Sequence, residues 1–222
     1  MMKYKAVIWD LDGTLLNTLN DLTDSTNYAL GVFNYPTRTI EEVRNFVGNG
    51  VAKLIERAIP EGKNNQNFEK CLEIFKENYA QNMNNKTTPY SGIIELLQTL
   101  KSKNYKIAVV SNKFDLAVKS LCQKYFPNLI DIAIGENEKE GIKKKPAPDT
   151  VNQVLEIFKM SNTQAIYIGD SEVDIMTAQN AQMPCISVTW GFKDKDFLLK
   201  NNAKIIINSP DEIISLLENQ TR

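Results

Sequence analysis

The sequence predicts an α/β fold: a doubly wound parallel sheet with a small all-helical domain inserted after the first strand. Short runs of apolar, often β-branched residues recur along the chain, and apolar residues at helical spacing lie between them. Near-continuous apolar strands that alternate with helices are typical of a parallel sheet covered by helices on both faces. The segment between the first two runs shows helical patterns alone, which indicates an insertion there.

The apolar runs predict six strands. In chain order they are Lys5–Trp9, Lys106–Val110, Ile130–Ile134, Ala165–Ile168, Cys185–Thr189 and Lys204–Ile207. Apolar stripes at spacings of three and four residues predict helices around residues 93–100, 118–125 and 151–158. Ser91 and Asp149 stand where N-caps of two of these helices are expected.

The insertion extends over about residues 18–83 and is predicted to form a separate helical cap domain. Apolar stripes predict three helices within it, around residues 22–33, 51–58 and 68–79. The polar residues Glu61–Asn67 are expected to form a loop between the last two. We therefore predict an α/β core of residues 1–17 and 84–222, and a cap of residues 18–83.

The net charge gives no indication of a nucleic-acid partner, because 26 Lys and Arg residues nearly balance 27 Asp and Glu residues. No apolar run approaches the roughly 20 residues of a membrane span, and the residues before the first strand leave no room for an export segment. We expect a cytoplasmic protein that binds neither nucleic acid nor membranes. Its three cysteines, Cys71, Cys122 and Cys185, lack metal-ligand spacing and are expected to be free thiols.

The sequence contains no histidine. A Ser-His-Asp triad, a histidine general base and an imidazole metal site are therefore excluded. Proton transfer in any active site of this chain falls to carboxylates, lysine, tyrosine or cysteine.

An aspartate pair, Asp10 and Asp12, follows the first predicted strand and precedes Gly13. Two residues at this spacing at a strand end point to the same side, and the glycine permits a tight turn. One carboxylate can act as nucleophile and metal ligand while the other transfers a proton. The same residues would also suit a solvated acidic turn.

Ser111 and Asn112 follow the second strand, and Lys145 precedes a Pro-Ala-Pro stretch. Hydroxyl, amide and backbone N–H groups can donate hydrogen bonds to phosphate oxygens, although Ser and Asn are also ordinary turn residues. The prolines restrict the backbone around Lys145, whose ammonium suits a phosphate dianion. A solvated basic loop is the alternative, and it describes the neighbouring lysines.

Two further aspartates, Asp170 and Asp174, follow the fourth strand. If a helix begins there, they lie one turn apart on the same side. Carboxylate oxygens are the ligands that Mg²⁺ prefers. Either residue alone could be a helix N-cap, but two acidic clusters at neighbouring strand ends would repel each other without a cation.

These four motifs, in this order, resemble those of the haloacid dehalogenase (HAD) superfamily. The resemblance covers essentially the whole chain and includes a helical (C1-type) cap after the first motif. It implies that Asp10 is a nucleophile that forms an aspartyl-phosphate, with Asp12 as general acid and base. It also implies a Mg²⁺ cofactor held by the Asp10 carboxylate, the Asp12 main-chain carbonyl and Asp170.

Further roles follow from the same resemblance. Asp174 would support the metal site from close by, and Ser111, Asn112 and Lys145 would bind the phosphoryl group. The segment Gly48-Asn49-Gly50 and the later Thr189–Phe192 look like the phosphoglycolate phosphatase group within the superfamily. Gly48, Asn49 and Gly50 are accordingly candidates for substrate contact, while their composition alone would also fit a plain helix–helix turn.

The implied activity is hydrolysis of a small phosphorylated metabolite, with 2-phosphoglycolate as the best single candidate. A phosphomutase of the β-phosphoglucomutase type and a pyrophosphatase remain alternatives on the same core. A dehalogenase is disfavoured because that branch lacks the second aspartate. An inactive binding protein would be expected to lose a motif carboxylate. The sequence leaves a monomer and a homodimer equally open.

Overall fold

The computed structural model describes residues 4–137 and 141–219, which form two compact units. One unit is drawn from residues up to 16 and from 89 onward, and the other is residues 17–88. The sequence placed the second boundary at residue 83. In the structure residues 84–88 fold with the inserted segment, because Asp21 accepts hydrogen bonds from the backbone N–H groups of Lys86 and Thr87 at 2.9 Å.

The elements follow one another in the alternating order that the sequence predicts. They are β1 (Ala6–Trp9), β2 (Leu16–Asn17), α1 (Leu19–Val32), α2 (Ile40–Phe46), α3 (Val51–Ala58), α4 (Phe68–Asn82), β3 (Thr88–Pro89), α5 (Ile93–Ser102), β4 (Lys106–Phe114), α6 (Asp115–Tyr125), β5 (Ile132–Glu136), α7 (Asp149–Phe158), β6 (Ala165–Gly169), α8 (Glu172–Asn180), β7 (Cys185–Val188), α9 (Lys195–Lys200), β8 (Ile206–Ile207) and α10 (Glu212–Asn219). Two short 3₁₀ turns lie at Gly62–Asn64 and Asn162–Gln164.

A six-stranded sheet in the order β5-β4-β1-β6-β7-β8 forms the first unit, and every neighbouring pair is parallel. This confirms the predicted doubly wound α/β fold. β4 and β5 lie on one side of β1, and β6, β7 and β8 lie on its other side. The carboxyl ends of β4, β1 and β6 therefore lie side by side at the point where the strand order reverses, which is where open α/β sheets bind ligands.

The centre of the sheet is closed to solvent on both faces. All four residues of β1 are fully buried, as the continuous apolar run Ala6–Trp9 predicts. On one face Ile8, Val110 and Tyr167 pack with Val151 and Val154 of α7. The sheet therefore holds the strand ends rigidly, and these ends carry the motif residues.

Three local predictions need correction. β4 does not end at Val110 but continues to Phe114 after a register shift against β5, so Ser111 and Asn112 lie within the strand. Gly92, not Ser91, is the N-cap of α5, because the backbone there has a φ of 81° that glycine adopts easily. Asp149 is the first residue of α7, and Pro148 occupies the cap position.

The second unit contains four helices, one more than the sequence predicted. The missed helix is α2, which buries only Val43 and therefore shows a weak apolar stripe. Its start carries a capping box: Thr39 Oγ accepts from Glu42 N–H at 3.2 Å, and the Glu42 carboxylate accepts from Thr39 N–H at 2.7 Å. This Thr-x-x-Glu pattern was the signal that could have revealed it.

No helix within residues 4–137 and 141–219 combines the length and apolar character that crossing a membrane requires. The three cysteines are free, with Cys71 and Cys122 buried and Cys185 half-buried, which confirms the predicted free thiols. Burial raises the pKa of Cys71 to about 11 and that of Cys122 to about 12, so both stay protonated at neutral pH.

Asp131 joins the start of β5 to the start of β4. Its Oδ2 accepts from Ile107 N–H at 2.8 Å, and Lys101 Nζ lies 2.9 Å from its Oδ1. Although partial burial opposes ionisation, the hydrogen bonds from Lys101 and Ile107 lower the pKa of Asp131 below its ordinary value of 3.8.

We expect Asp131→Asn to lower the free energy of unfolding at neutral pH. Because the pKa is depressed in the folded state, this stabilisation is complete above the ordinary pKa and is lost as pH falls through the folded-state value. Urea denaturation at neutral pH and at about pH 3 measures the free energy of unfolding of both proteins. The difference between wild type and variant should be smaller at the acidic pH. Asp196→Asn, at an exposed position of α9, is the matched control. A gap that does not depend on pH would contradict this account.

Candidate active site

Four chain segments meet at the carboxyl edge of the sheet. Asp10 and Asp12 follow β1, Ser111 lies near the end of β4, Lys145 lies in the loop before α7, and Asp170 follows β6. The structure therefore brings together the core residues that the sequence singled out separately. These residues lie close together because β4, β1 and β6 are neighbours in the sheet.

The buried ammonium of Lys145 links two of these segments. Lys145 Nζ lies 2.7 Å from Asp10 Oδ1 and 2.7 Å from Asp174 Oδ1, and the residue is only 4% exposed. Burial disfavours its charge, but the nearby charges of Asp10 and Asp174 hold the pKa of Lys145 well above its usual value. Lys145 is therefore a fixed positive charge and not a solvated loop lysine.

Asp174 has both carboxylate oxygens occupied by donors. Its Oδ2 accepts from Ser171 N–H at 3.1 Å, which is one half of the capping box of α8, and also from Ser171 Oγ at 2.6 Å. Its Oδ1 receives Lys145 and the Tyr167 hydroxyl, at 2.7 and 3.1 Å. With four donors already bound, Asp174 is suited to orient Lys145 and to support its neighbours.

Tyr167 is a site residue that the sequence reasoning treated only as part of a strand. Its hydroxyl accepts from Lys145 Nζ at 3.1 Å and donates to Asp174 Oδ1. Burial raises the pKa of Tyr167 well above its usual value, so the hydroxyl keeps its proton and can donate. A tyrosine inside a buried strand needs a partner for its hydroxyl, and this requirement was the available signal.

Asp170 is held by the loop that follows β7. Phe192 N–H donates to Asp170 Oδ2 at 2.6 Å, and Thr14 Oγ1 lies 3.4 Å from Asp170 Oδ1. Trp190 Nε1 in turn donates to the Thr14 carbonyl at 3.0 Å. These contacts give a structural reason for the Trp-Gly-Phe segment noted in the sequence: it fixes Asp170 against the turn after β1.

The carboxylates of Asp10, Asp170 and Asp174 form a buried cluster whose candidate ligand atoms all lie within 4.8 Å of one another. Burial, followed by the charge of Asp174, raises the pKa of Asp10 to about 7 and that of Asp170 well above its usual value. Lys145 supplies one positive charge against three carboxylates. A hard divalent cation would offset the remainder, so these residues fit a divalent metal ion.

The Asp12 carboxylate is not part of this cluster and pairs instead with Lys113. Lys113 Nζ lies 2.9 Å from Asp12 Oδ1 and 3.0 Å from Oδ2, and the Lys113 side chain is 3% exposed. A metal contact by the Asp12 main-chain carbonyl stays a prediction. Lys113 was not among the predicted site residues, because a lysine after Ser-Asn in a sequence reads as an ordinary surface residue.

The two predicted phosphate-binding residues of β4 face different partners. Ser111 Oγ accepts from Lys113 N–H at 3.2 Å, which leaves the hydroxyl hydrogen free to donate elsewhere. Asn112 Nδ2 donates to the Lys145 carbonyl at 3.0 Å, so Asn112 holds the backbone of the lysine loop. Phosphate contact by either side chain stays a prediction.

Gly48, Asn49 and Gly50 form the connection between α2 and α3 in the second unit. Gly48 and Gly50 have φ values of 113° and 84°, which other residues rarely adopt. Arg57 donates to Asn49 Oδ1 at 2.8 Å and to the Phe46 carbonyl at 2.7 Å. The connection is therefore well fixed within its own unit, and its contact with substrate stays a prediction.

Comparison with known proteins extends over nearly the whole chain. A family model described as haloacid dehalogenase-like hydrolase matches residues 7–188. A phosphoglycolate phosphatase of Haemophilus influenzae (strain 86-028NP) is 30% identical over 223 residues, which cover 97% of this chain and 99% of that protein. A crystal structure from Lactobacillus delbrueckii subsp. bulgaricus is 37% identical, with a TM-score of 0.92 over 97% of this chain and 99% of that one. A predicted phosphoglycolate phosphatase from Haemophilus somnus is 27% identical, with a TM-score of 0.89 over the same shares.

We expect Gly191→Ala to disturb the buried carboxylate cluster that fits a divalent metal ion. The added Cβ would overlap the Gly13 carbonyl oxygen and the Asp170 side chain, so Asp170 must shift. The variant should lose about 1–3 kcal/mol of stability and should show a smaller rise in melting temperature on addition of MgCl₂. Gly31→Ala is the control, since its Cβ meets open space. An unchanged response of Gly191→Ala to MgCl₂ would be the contrary result.

Proposed function

The chain belongs to the haloacid dehalogenase-like hydrolase family, and on this premise we propose that it is a Mg²⁺-dependent phosphatase of a small phosphomonoester, with 2-phosphoglycolate as substrate. The resemblance read from the four motifs is confirmed by the family match, which spans residues 7–188. The substrate, the metal and the covalent mechanism are the parts of this proposal that experiments must test.

The observation that carries the proposal is the environment of Asp10. One of its oxygens, Oδ1, is fixed by Lys145, while none of the described residues donates a hydrogen bond to the other, Oδ2. A carboxylate that is held at one oxygen and free at the other is suited to nucleophilic attack. Because Asp10 lies at the end of the central strand, the rigid sheet fixes the direction of attack.

The reaction would proceed in two displacements at phosphorus. An Asp10 oxygen forms a bond to phosphorus, the bond from phosphorus to the substrate alcohol breaks, and Asp12 donates a proton to the departing oxygen. Asp12 then accepts a proton from a water molecule whose oxygen attacks the aspartyl-phosphate. The Asp10–phosphorus bond breaks, which releases inorganic phosphate and restores both carboxyl groups.

Positive charge at the site supports this chemistry, because phosphoryl transfer depends mainly on positioning and charge stabilisation. Lys145 offers a buried ammonium, and Ser111 offers a hydroxyl whose oxygen already accepts a hydrogen bond. The Asp10 and Asp170 carboxylates with the Asp12 main-chain carbonyl would hold Mg²⁺, and Asp174 would support them. Mg²⁺, when bound, supplies charge neutralisation at the phosphoryl oxygens.

Support for 2-phosphoglycolate comes from curated relatives. Phosphoglycolate phosphatases of Haemophilus influenzae and Aquifex aeolicus are each 30% identical to this chain over 97% of its length. The Gly48-Asn49-Gly50 connection is the part of the second unit that we assign to substrate contact. A loop of fixed shape with two glycines can bring backbone N–H groups close to an anionic substrate.

A substrate screen tests the proposed activity. With Mg²⁺ present, the purified protein should release phosphate from 2-phosphoglycolate with a higher kcat/KM than from a panel of sugar phosphates. A chelator should abolish the release, and added MgCl₂ should restore it. A flat or reversed ranking would overturn the substrate assignment, and release that persists in chelator would overturn the metal assignment.

The mechanism is tested by Asp10→Asn, which should reduce turnover to the detection limit because an amide cannot serve as the nucleophile. Acid-quenched wild-type protein mixed with substrate should carry a phosphoryl adduct on the peptide that contains Asp10, as mass spectrometry can measure. The same preparation of Asp10→Asn also controls for contaminating phosphatases. Full activity in this variant would refute the covalent route.

A further inference from the structure

We infer that Lys113 is a positioning residue that fixes the Asp12 carboxylate for proton transfer, an inference that rests on the function proposed above. The carboxylate and the ammonium come from the ends of two neighbouring strands, β1 and β4, and are 101 residues apart in the chain. Lys113 Nζ contacts both Asp12 oxygens, at 2.9 and 3.0 Å. Two contacts from one point restrict both the position of the carboxylate and its rotation.

The burial of Lys113 argues for a dedicated role. The residue is 4% exposed, and an ammonium removed from water is costly unless a carboxylate accompanies it. An apolar side chain would fill this part of β4 without that cost. The chain instead places a charged residue there, next to the carboxylate to which the proposed mechanism gives the proton transfers.

The geometry of β4 points Lys113 toward the same region as Ser111. Residues two apart in a strand lie on the same face, and the Lys113 N–H donates to Ser111 Oγ at 3.2 Å. Asn112, between them, bonds instead to the Lys145 carbonyl. The three consecutive residues thus have different partners: Ser111 accepts from the Lys113 N–H, Asn112 holds the lysine loop, and Lys113 holds Asp12.

The contact is compatible with both protonation states that Asp12 adopts in the cycle. An ammonium can donate to either carboxylate oxygen, so it keeps one contact when the other oxygen carries the proton. Lys113 therefore acts through orientation and takes no part in the bonds that form and break. Without it, the Asp12 side chain can rotate away from the departing oxygen.

The test compares leaving groups. Release of an alkoxide depends on protonation by Asp12, whereas p-nitrophenolate leaves without it. We expect Lys113→Met to lower kcat/KM for an alkyl phosphomonoester by about 10²-fold, the usual scale of general acid–base catalysis. The loss of kcat/KM with p-nitrophenyl phosphate should be much smaller, because kcat/KM reports only the steps up to departure of the leaving group. The kcat values are not compared between substrates, since hydrolysis of the shared aspartyl-phosphate also uses Asp12. Lys103→Met, which removes a lysine that pairs with Glu218 on the surface, is the matched control.

The decisive measurement places the same change in an Asp12→Asn background. If Lys113 acts through Asp12, Lys113→Met should cause little additional loss there with p-nitrophenyl phosphate, which the double variant still hydrolyses slowly. Losses that multiply would show that Lys113 acts on the phosphoryl group directly and would overturn the inference. In protein that retains Asp12, equal losses of kcat/KM with both leaving groups would also overturn it.

Two further comparisons keep the result interpretable. Lys113→Arg retains a cation and should recover part of the alkyl-ester activity, and it carries the test if Lys113→Met does not fold, as judged by circular dichroism. Wild-type protein that hydrolyses neither substrate would refute the proposed function itself. Wild-type activity on both, with an unchanged leaving-group ratio in the Lys113 variants, would refute the positioning role alone.

Discussion

The structure of the site depends on one buried ammonium, that of Lys145, placed between the carboxylates of Asp10 and Asp174. Removing either carboxylate would leave a positive charge in a protein interior with less compensation, which is strongly unfavourable. Two further residues hold Lys145 in place: Asn112 donates to its main-chain carbonyl, and the Tyr167 hydroxyl contacts its ammonium. Residues from β1, β4, β6 and α8 are thereby held to one geometry, although they are distant in sequence.

The buried ion pairs of Lys145 with Asp10 and Asp174 are not explained by fold stability alone. Buried ion pairs rarely stabilise a fold more than apolar residues of the same volume, because desolvation offsets their attraction. Here burial raises the pKa values of Asp10 and Asp170, which means that the folded protein without a cation disfavours their charged forms. The stable core lies below, in the continuous apolar strands. The burial of these strands provides the free energy that offsets the cost of a buried cluster of ionisable groups at the edge of the sheet.

The sequence predicts the fold and the core of the site because both follow from local patterns. Apolar runs mark the strands, and polar residues at their carboxyl ends, such as Asp10 and Asp170, must meet in a parallel sheet. Lys113 and Tyr167 were missed because their roles come from partners far along the chain and from burial, which no local pattern reports. The helix α2 was missed for a related reason: it buries only Val43, so its start was marked by capping and not by periodicity.

Two aspartates of one motif acquire different surroundings, although they are two residues apart. Asp10 pairs with Lys145 in the depth of the site, with 10% of its side chain exposed, whereas Asp12 pairs with Lys113 and has 20% exposed. A nucleophile benefits from a rigid, shielded position, while a group that exchanges protons must reach both a leaving oxygen and water. Because each carboxylate pairs with a different lysine, the surroundings of Asp10 and Asp12 differ although the two residues are close together in the chain. The proposed division of roles, with Asp10 as nucleophile and Asp12 as proton carrier, would follow from which ammonium each side chain contacts.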